Sequence, residues 1–344
     1  MLNKIWLYSM RSYLELGLFF YFRRIHMIYL NNIPKDKPVL ILPNHQNALL
    51  DALIIAVKVN RISYFLTRAS AFYSPLIAKI LKSYKMLPVY RIRDGIRTIK
   101  KNNEVFEACS ELLNQNHSLV IFPEGNHNLK RTVRPLSKGF TRIVFDTLEK
   151  HPDLDLQLVP VGFNYKRPEC FVDEVSLYMG EPIKAQEYRG YERNEAVVKL
   201  KADLHQSISK LTTHIPHDHY GDIIKKLIAQ EADFLNPQLV NECISNNFKK
   251  CSFEKKPQNT MLRQWFKGLL ILNLWLPYLI WKKVIEPKIK EVEFVSTYRF
   301  TVVITLVPFY LLILTLILTG IFGWFIAITY LLMVIILALI AVKY

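Results

Sequence analysis

The sequence predicts an α/β fold: a mixed, mostly parallel sheet flanked by helices, with an N-terminal interfacial helix and a C-terminal transmembrane helical hairpin. Two observations predict it. Between about residues 35 and 185, short apolar runs alternate with helix-like segments, the pattern of strands and crossovers. Near the C-terminus, Arg299 and Lys343 bracket 43 consecutive uncharged residues, where one spanning helix needs about 20.

The chain has 344 residues, 51% of them apolar, which suits a sizeable core and excludes a largely disordered chain. Its formal charge is +16. Such a balance calls for an anionic partner: nucleic acid, an acidic membrane surface or a phosphate-bearing substrate. The apolar C-terminus favours the membrane. The sequence carries no helix-turn-helix, zinc finger or similar module, so nucleic acid is not expected as a partner.

The first thirty residues mix aromatic, aliphatic and basic types at helical spacing. Their longest apolar run, Leu16 to Phe22, is followed at once by Arg23 and Arg24, and no small-residue cleavage site comes after. A signal peptide is therefore not expected. Residues 1–33 read as a helix in the membrane interface; a core helix of the soluble unit is the alternative.

Residues 34–211 read as the α/β domain. Strand-like runs are PVLILP (38–43), SYFLT (63–67), MLPVY (86–90), SLVIFP (118–123), LQLVPVGFN (156–164) and VSLYMG (175–180). Several are continuously apolar, as strands buried on both faces are. Helix-like segments lie between them at Ala48–Val59, Ala71–Ser83, Ile96–Asn114 and Lys138–Leu148. The stripe Val197, Leu200, Leu204, Ile208, Leu211 marks an amphipathic helix. Residues 212–264 form a more polar, helical connector.

Residues 265–344 form the membrane region. The uncharged stretch Gly268–Trp281 is short and interrupted by Pro277, which suits an interfacial or re-entrant segment. The hairpin, 301–342, runs out over about Thr301–Thr319, turns near Gly320–Gly323 and returns over about Trp324–Val342. Lys282, Lys283, Lys288, Lys290 and Arg299 crowd one end and Lys343 the other. By the positive-inside tendency both ends, and with them the α/β domain, face the cytoplasm. Cys109, Cys170, Cys243 and Cys251 show no metal or redox spacing and are expected as free thiols.

Three polar clusters stand at strand ends, where α/β sheets gather ligands. NHQNALLD follows the first run. A neutral histidine can take a proton from an alcohol, and a carboxylate can orient it. Six residues advance about 240° net around a helix, so His45 must lie before the helix, with Asp51 reaching back from an early turn. The alternative is a turn histidine and an ordinary helix charge. YRIRDG places Arg91 and Arg93 past a strand, where a planar guanidinium suits phosphate oxygens or forms a solvated edge. In FPEGNHN, Glu124 can accept hydrogen bonds and Gly125 permits close backbone approach; a plain strand-ending turn is the alternative. Arg131, Arg134 and Lys138 keep the region positive.

In this order the stretches resemble the glycerophospholipid acyltransferase family, which includes glycerol-3-phosphate and lysophosphatidate acyltransferases, over about Asn31 to Ile183. NHQNALLD is similar to the family's histidine–aspartate block, PVYRIRD to its arginine block, FPEGNHN to its Phe-Pro-Glu-Gly block and LVPVGFNY to its Val-Pro block, while SKGF with Lys138 resembles the basic stretch after the third. The resemblance implies His45 as general base and Asp51 as its orienting group. Asn44, Arg91, Arg93, Glu124, Gly125 and Lys138 are the implied substrate-binding positions, and Pro160 with its neighbours would shape an acyl pocket. The implied reaction moves an acyl group from acyl-CoA or acyl-carrier protein, a co-substrate, to a phosphate-bearing glycerolipid, with no metal and no other cofactor. The acceptor expected is 1-acylglycerol-3-phosphate, giving phosphatidate; glycerol-3-phosphate, or an inactive lipid-binding relative, is the alternative.

Two departures blur the acceptor. Five residues, not the usual four, separate His45 from Asp51. The third block reads Asn126-His127-Asn128 where threonine-arginine-serine is common, so that arginine's phosphate contact would fall to Arg131 or Arg93. His214, His217 and His219 fit no common zinc spacing.

Overall fold

The computed structural model describes residues 2–90, 101–249, 251–253 and 260–344. In chain order the strands are β1 (Phe22–Ile28), β2 (Val39–Pro43), β3 (Ser63–Arg68), β4 (Met86–Val89), β5 (Ser118–Val120), β6 (Gln157–Tyr165), β7 (Asp173–Met179) and β8 (Ile183–Lys184). They form one sheet of order β1-β7-β6-β2-β5-β3-β4, with β8 beside β6. β6 is antiparallel to β7 and β8, and the other pairings are parallel. The six apolar runs of the sequence are β2 to β7.

The helices around this sheet are α1 (Leu2–Tyr21), α2 (Ala48–Lys58), α3 (Pro75–Ser83), α4 (Lys101–Asn114), α5 (Gly139–Lys150) and α6 (Arg193–Leu211). The connector holds α7 (Tyr220–Ala229) and α8 (Pro237–Ser245). The membrane region holds α9 (Thr260–Asn273), α10 (Trp275–Ile280), α11 (Val295–Ile304), α12 (Leu306–Phe322) and α13 (Trp324–Lys343).

β2 shows why the sheet lies in the middle. Leu40 and Leu42 join the core on one face, with Phe106 of α4, Phe140 of α5 and Leu200 of α6. Val39 and Ile41 join the core on the other, with Leu18 of α1, Leu50 of α2 and Phe300 of α11. Each such fully buried side chain contributes about 1.5–3 kcal/mol. The second face is thus closed partly by the first helix of the chain and partly by the helix that enters the hairpin. These two touch closely: a Cβ on Gly17 would lie 2.5 Å from Ile304, and the Tyr21 hydroxyl donates to the Ser296 carbonyl at 3.2 Å.

The N-terminal helix does not extend to residue 33. It ends at Tyr21, and Phe22–Ile28 pairs in parallel with β7. An edge strand accommodates Arg23, Arg24 and His26 because its outer side meets solvent. One side of α1 buries Leu18 and Tyr21, while Ile5, Trp6, Leu16 and Phe19 are exposed, an apolar surface of the kind an interfacial helix presents.

Among the described residues, two helices are long and apolar enough to cross a membrane, Val292–Phe322 and Trp324–Lys343. The chain turns between them at Gly323, whose φ of +84° is a conformation that favours glycine. Before them, Met261–Asn273 and Trp275–Lys288 meet at a bend of 94°. Pro277 explains the break, since its ring excludes the carbonyl four residues earlier. That carbonyl, on Asn273, accepts instead from the Tyr310 hydroxyl at 3.3 Å, and the Asn273 side-chain oxygen accepts from Tyr330 at 2.9 Å.

The connector packs Ile215, Leu227, Phe234 and Val240 into a small core of its own. Here the expectation of four free thiols fails. Cys243 and Cys251 are joined as a disulfide, their Cα atoms 5.1 Å apart, whereas Cys109 and Cys170 are free. The turn after α8, with positive φ at Asn247 and Phe248, folds the chain back far enough for the two to meet.

Candidate active site

β2, β5 and β6 lie side by side, and the segments after their C-terminal ends share one rim of the sheet. His45 leaves β2 two residues after Pro43. Its Nδ1 lies 2.8 Å from Asp51 Oδ2. Helix α2 begins only at Ala48, with φ +39° at that residue, so His45 precedes the helix and Asp51 reaches back from its first turn. The five intervening residues are absorbed in this tight entry.

Asp51 is completely buried, and four donors surround it. His45 Nδ1 and the backbone N–H groups of Gln46 and Asn47 all approach Oδ2 at 2.8 Å. The Tyr165 hydroxyl, at the end of β6, donates to Oδ1 at 2.6 Å. A buried carboxylate needs such partners to remain ionised. Burial first, and then the Asp51 charge, push the Tyr165 phenol well above its ordinary pKa, so it stays a donor.

With Asp51 accepting from Nδ1–H, the lone pair of His45 is on Nε2. Among the described residues Nε2 has no hydrogen-bond partner, and the His45 side chain is 15% exposed. The ring stacks on Phe122 at 4.0 Å between centroids. The Asn128 N–H donates to the His45 carbonyl at 3.0 Å. The first and third sequence blocks therefore clasp one another around the imidazole.

Within the third block, Gly125 closes a turn by donating its N–H to the Phe122 carbonyl at 3.0 Å, with φ +70°. Glu124 is buried and accepts from Arg134 Nε at 2.6 Å. Burial outweighs that guanidinium and pushes the carboxyl up to about 7. His127 stands 5.6 Å from His45 and against Phe294 at 4.7 Å, with Nε2 3.3 Å from Glu291. Burial, then the neighbouring His45, lower its pKa.

Other expected positions fall elsewhere. The Asn44 side chain is tied at both ends to Phe163, accepting from its N–H at 2.6 Å and donating to its carbonyl at 3.3 Å; it staples β2 to β6. Lys138 is exposed at the start of α5. Pro160 is buried inside β6, opposite Leu42. Arg91 and Arg93 lie outside the described residues. Arg131 is turned away into another cleft, about 1080 Å³ in volume, that it shares with Arg23, Arg24 and Arg167. There its guanidinium lies 3.8 Å from the Phe234 ring centroid and donates to the Lys166 carbonyl.

Residues 24–164 match the family model described as Acyltransferase. Over 111 residues the chain is 32% identical to glycerol-3-phosphate O-acyltransferase 1 of Saccharomyces cerevisiae, covering 31% of this chain and 14% of that one. Residues 24–164 thus form an acyltransferase domain of the glycerophospholipid acyltransferase type. Glycerol-3-phosphate O-acyltransferase 2 of the same yeast is 26% identical over 119 residues, 33% of this chain and 16% of the relative. An uncharacterized acyltransferase of Schizosaccharomyces pombe is 27% identical over 117 residues, 33% of this chain and 17% of the relative. The chain thus spans less than a fifth of the length of these curated relatives. Among solved structures, the 1-acyl-sn-glycerophosphate (LPA) acyltransferase PlsC of Thermotoga maritima is similar with a TM-score of 0.41 and 18% identity, over 59% of this chain and 80% of that one. The family region runs from Arg24 in β1 to Asn164 in β6, and so contains both clasped blocks.

Proposed function

We propose that the protein transfers a fatty acyl group from an acyl thioester to the free hydroxyl of 1-acylglycerol-3-phosphate, giving phosphatidate. The observation that carries this reading is the His45–Asp51 pair, 2.8 Å apart at the sheet rim with Asp51 wholly buried. His45 Nε2 accepts the hydroxyl proton as the oxygen attacks the thioester carbonyl. The tetrahedral oxyanion collapses, the C–S bond breaks, and the thiol leaves with the proton returned from the imidazolium. Asp51 fixes the tautomer and stabilises the charged ring. The acceptor phosphate falls to Arg91 and Arg93, with Lys138 adding charge, while the Glu124–Gly125 turn shapes the loop beside His45. The acyltransferase unit spans 34–211, and residues 265–344 hold it to the cytoplasmic side of the bilayer.

A second acceptor is favoured by a specific observation. Two relatives are named glycerol-3-phosphate O-acyltransferases. One panel separates the readings: purified full-length protein, acyl-CoA or acyl-carrier protein as donor, and lysophosphatidate or glycerol-3-phosphate as acceptor. Transfer to lysophosphatidate supports the first reading and transfer to glycerol-3-phosphate alone the second. No transfer to any acceptor leaves a lipid-binding relative without catalysis. Arg91→Glu should raise the acceptor KM at least about tenfold through loss of a charge-assisted contact; an unchanged KM moves phosphate recognition elsewhere.

A further inference from the structure

A cleft of about 430 Å³ opens between the bent helices α9 and α10, the start of the hairpin, and the segment 169–171. Its walls are apolar: Phe171, Ile271, Leu274, Val303 and Val307. They belong largely to helices apolar enough to meet lipid. Its mouth is basic. Lys267 Nζ donates to the Phe171 carbonyl at 3.0 Å, and both Arg299 Nη atoms donate to the Glu169 carbonyl at 3.2 Å. Arg299 also lies over the Trp281 ring at 5.1 Å. Carbonyl oxygens and rings hold these cations in place, and with Lys282 they outnumber Glu169, the one acidic residue among the described residues that line the cleft.

The cleft is also joined to the catalytic turn. Residues 169–171 follow Pro168, whose carbonyl accepts from Asn47 Nδ2 and from Ser296 Oγ. Asn47 supplies one of the N–H groups on Asp51. A lipid in the cleft therefore lies against the segment that abuts the His45–Asp51 loop.

We infer that this cleft is a binding site for lysophosphatidate, its single acyl chain among Ile271, Leu274, Val303 and Val307 and its phosphate between Lys267 and Arg299. The volume is within the roughly 300–1,000 Å³ of small-ligand pockets. An apolar floor with a cationic mouth matches a lipid bearing one tail and a phosphomonoester. The choice of lipid rests on the acyl-transfer reading, and it is common to both acceptors: lysophosphatidate is the substrate in one case and the product in the other.

The test is a binding measurement, so it can fail separately from that reading. Full-length protein in phosphatidylcholine nanodiscs is irradiated with lysophosphatidate carrying a diazirine near the chain end, and labelled peptides are mapped. Label is expected in 261–285 and 295–310. Unlabelled lysophosphatidate should displace it, and lysophosphatidylcholine of the same chain length should not. The double change Lys267→Gln with Arg299→Gln should weaken labelling about tenfold by removing charge-assisted contacts. Ile271→Trp, which fills the cleft and spares the cations, should weaken it similarly; size-exclusion elution as for wild type shows that each variant is folded. His45→Ala should label as wild type does. Label confined to other segments, or equal displacement by lysophosphatidylcholine, overturns the site in favour of a general lipid annulus. Specific labelling of a wild-type protein without transferase activity keeps the site and removes the acyl-transfer reading.

Discussion

The Tyr165 hydroxyl donates to Asp51 Oδ1 at 2.6 Å, across 114 positions of sequence, while His45 occupies the opposite oxygen. The phenol thus fixes the rotation of the carboxylate that fixes the imidazole. Tyr165→Phe removes one of four donors from a buried charge, a loss of about 1.5–3 kcal/mol in stability. It should lower kcat about tenfold or more and leave the acceptor KM within about twofold, since misorientation of a base costs the transition state and not ground-state binding. Steady-state kinetics decide. A KM effect without a kcat effect would make Tyr165 a substrate contact.

His45→Ala tests the base directly. General-base catalysis contributes about 10²- to 10⁴-fold, and transfer should fall by that factor with the fold intact. Asp51→Asn should be nearly as damaging. An asparagine can present its NH₂ to the N–H groups of Gln46 and Asn47, and it holds no charge to stabilise the imidazolium. Turnover above a tenth of wild type in either variant would remove the pair from the chemistry.

The strands and the order of the polar blocks were legible because β2, β5 and β6 are buried throughout, which writes them as apolar runs, and the runs SYFLT, MLPVY and VSLYMG at β3, β4 and β7 keep an apolar majority. The position of His45 before α2 followed from helix geometry alone. Other features leave no local trace. Phe22–Ile28 carries three basic side chains and reads as a continuation of an amphipathic helix; only its pairing with β7 makes it a strand. Asn44 sits next to His45 and reads as part of the site, but its amide is taken up by the Phe163 backbone. Tyr165 closes the LVPVGFNY block as a polar tip on a wholly buried strand, a signal that a buried hydroxyl needs a partner. Which partner depends on the sheet order. The Phe122 stack and the approach of His127 to Glu291 depend on tertiary contacts between segments up to 164 residues apart.

Glu124 gives a pH dependence with a definite sign. Burial raises its carboxyl from the ordinary 4.5 to about 7, even with Arg134 at 2.6 Å. The folded state therefore holds this proton more tightly than the unfolded chain. Its contribution to stability is full below about pH 4.5 and is lost as pH rises through about 7, up to about 3 kcal/mol in all. Asp173, also raised to about 7 by burial, adds a loss of the same sign, so wild type alone is not diagnostic. Glu124→Gln keeps an acceptor for Arg134 and removes the titration. Between pH 5 and pH 8 the variant should lose less thermal stability than wild type in the same detergent. Equal losses would mean that the carboxyl is already ionised at pH 5.

Among the described glycines, Gly162 has the closest neighbours. A Cβ there would lie 2.1 Å from the Leu211 carbonyl oxygen and 2.5 Å from its carbon. Both are backbone atoms at the end of α6 and cannot rotate away. The same oxygen accepts from Asn164 Nδ2 at 2.9 Å, and Asn164 Oδ1 accepts from the Thr213 N–H at 2.9 Å. Gly162→Ala must therefore push α6 off β6 and stretch this junction. Overpacking of about 1–3 kcal/mol, with about 1 kcal/mol for each of the two weakened hydrogen bonds, gives a loss of about 3–5 kcal/mol. Gly190→Ala is the control, since nothing lies within 4 Å of its added Cβ; it should stay within about 0.5 kcal/mol of wild type. Thermal unfolding of the two variants side by side measures the difference. Because Tyr165 is three residues beyond Gly162 on the same strand, the displaced strand end should also loosen the phenol's hold on Asp51. Gly162→Ala protein that remains folded at low temperature should then show reduced kcat, in the same direction as Tyr165→Phe. Equal melting temperatures for the two alanine variants would mean that α6 does not approach β6 as closely as described.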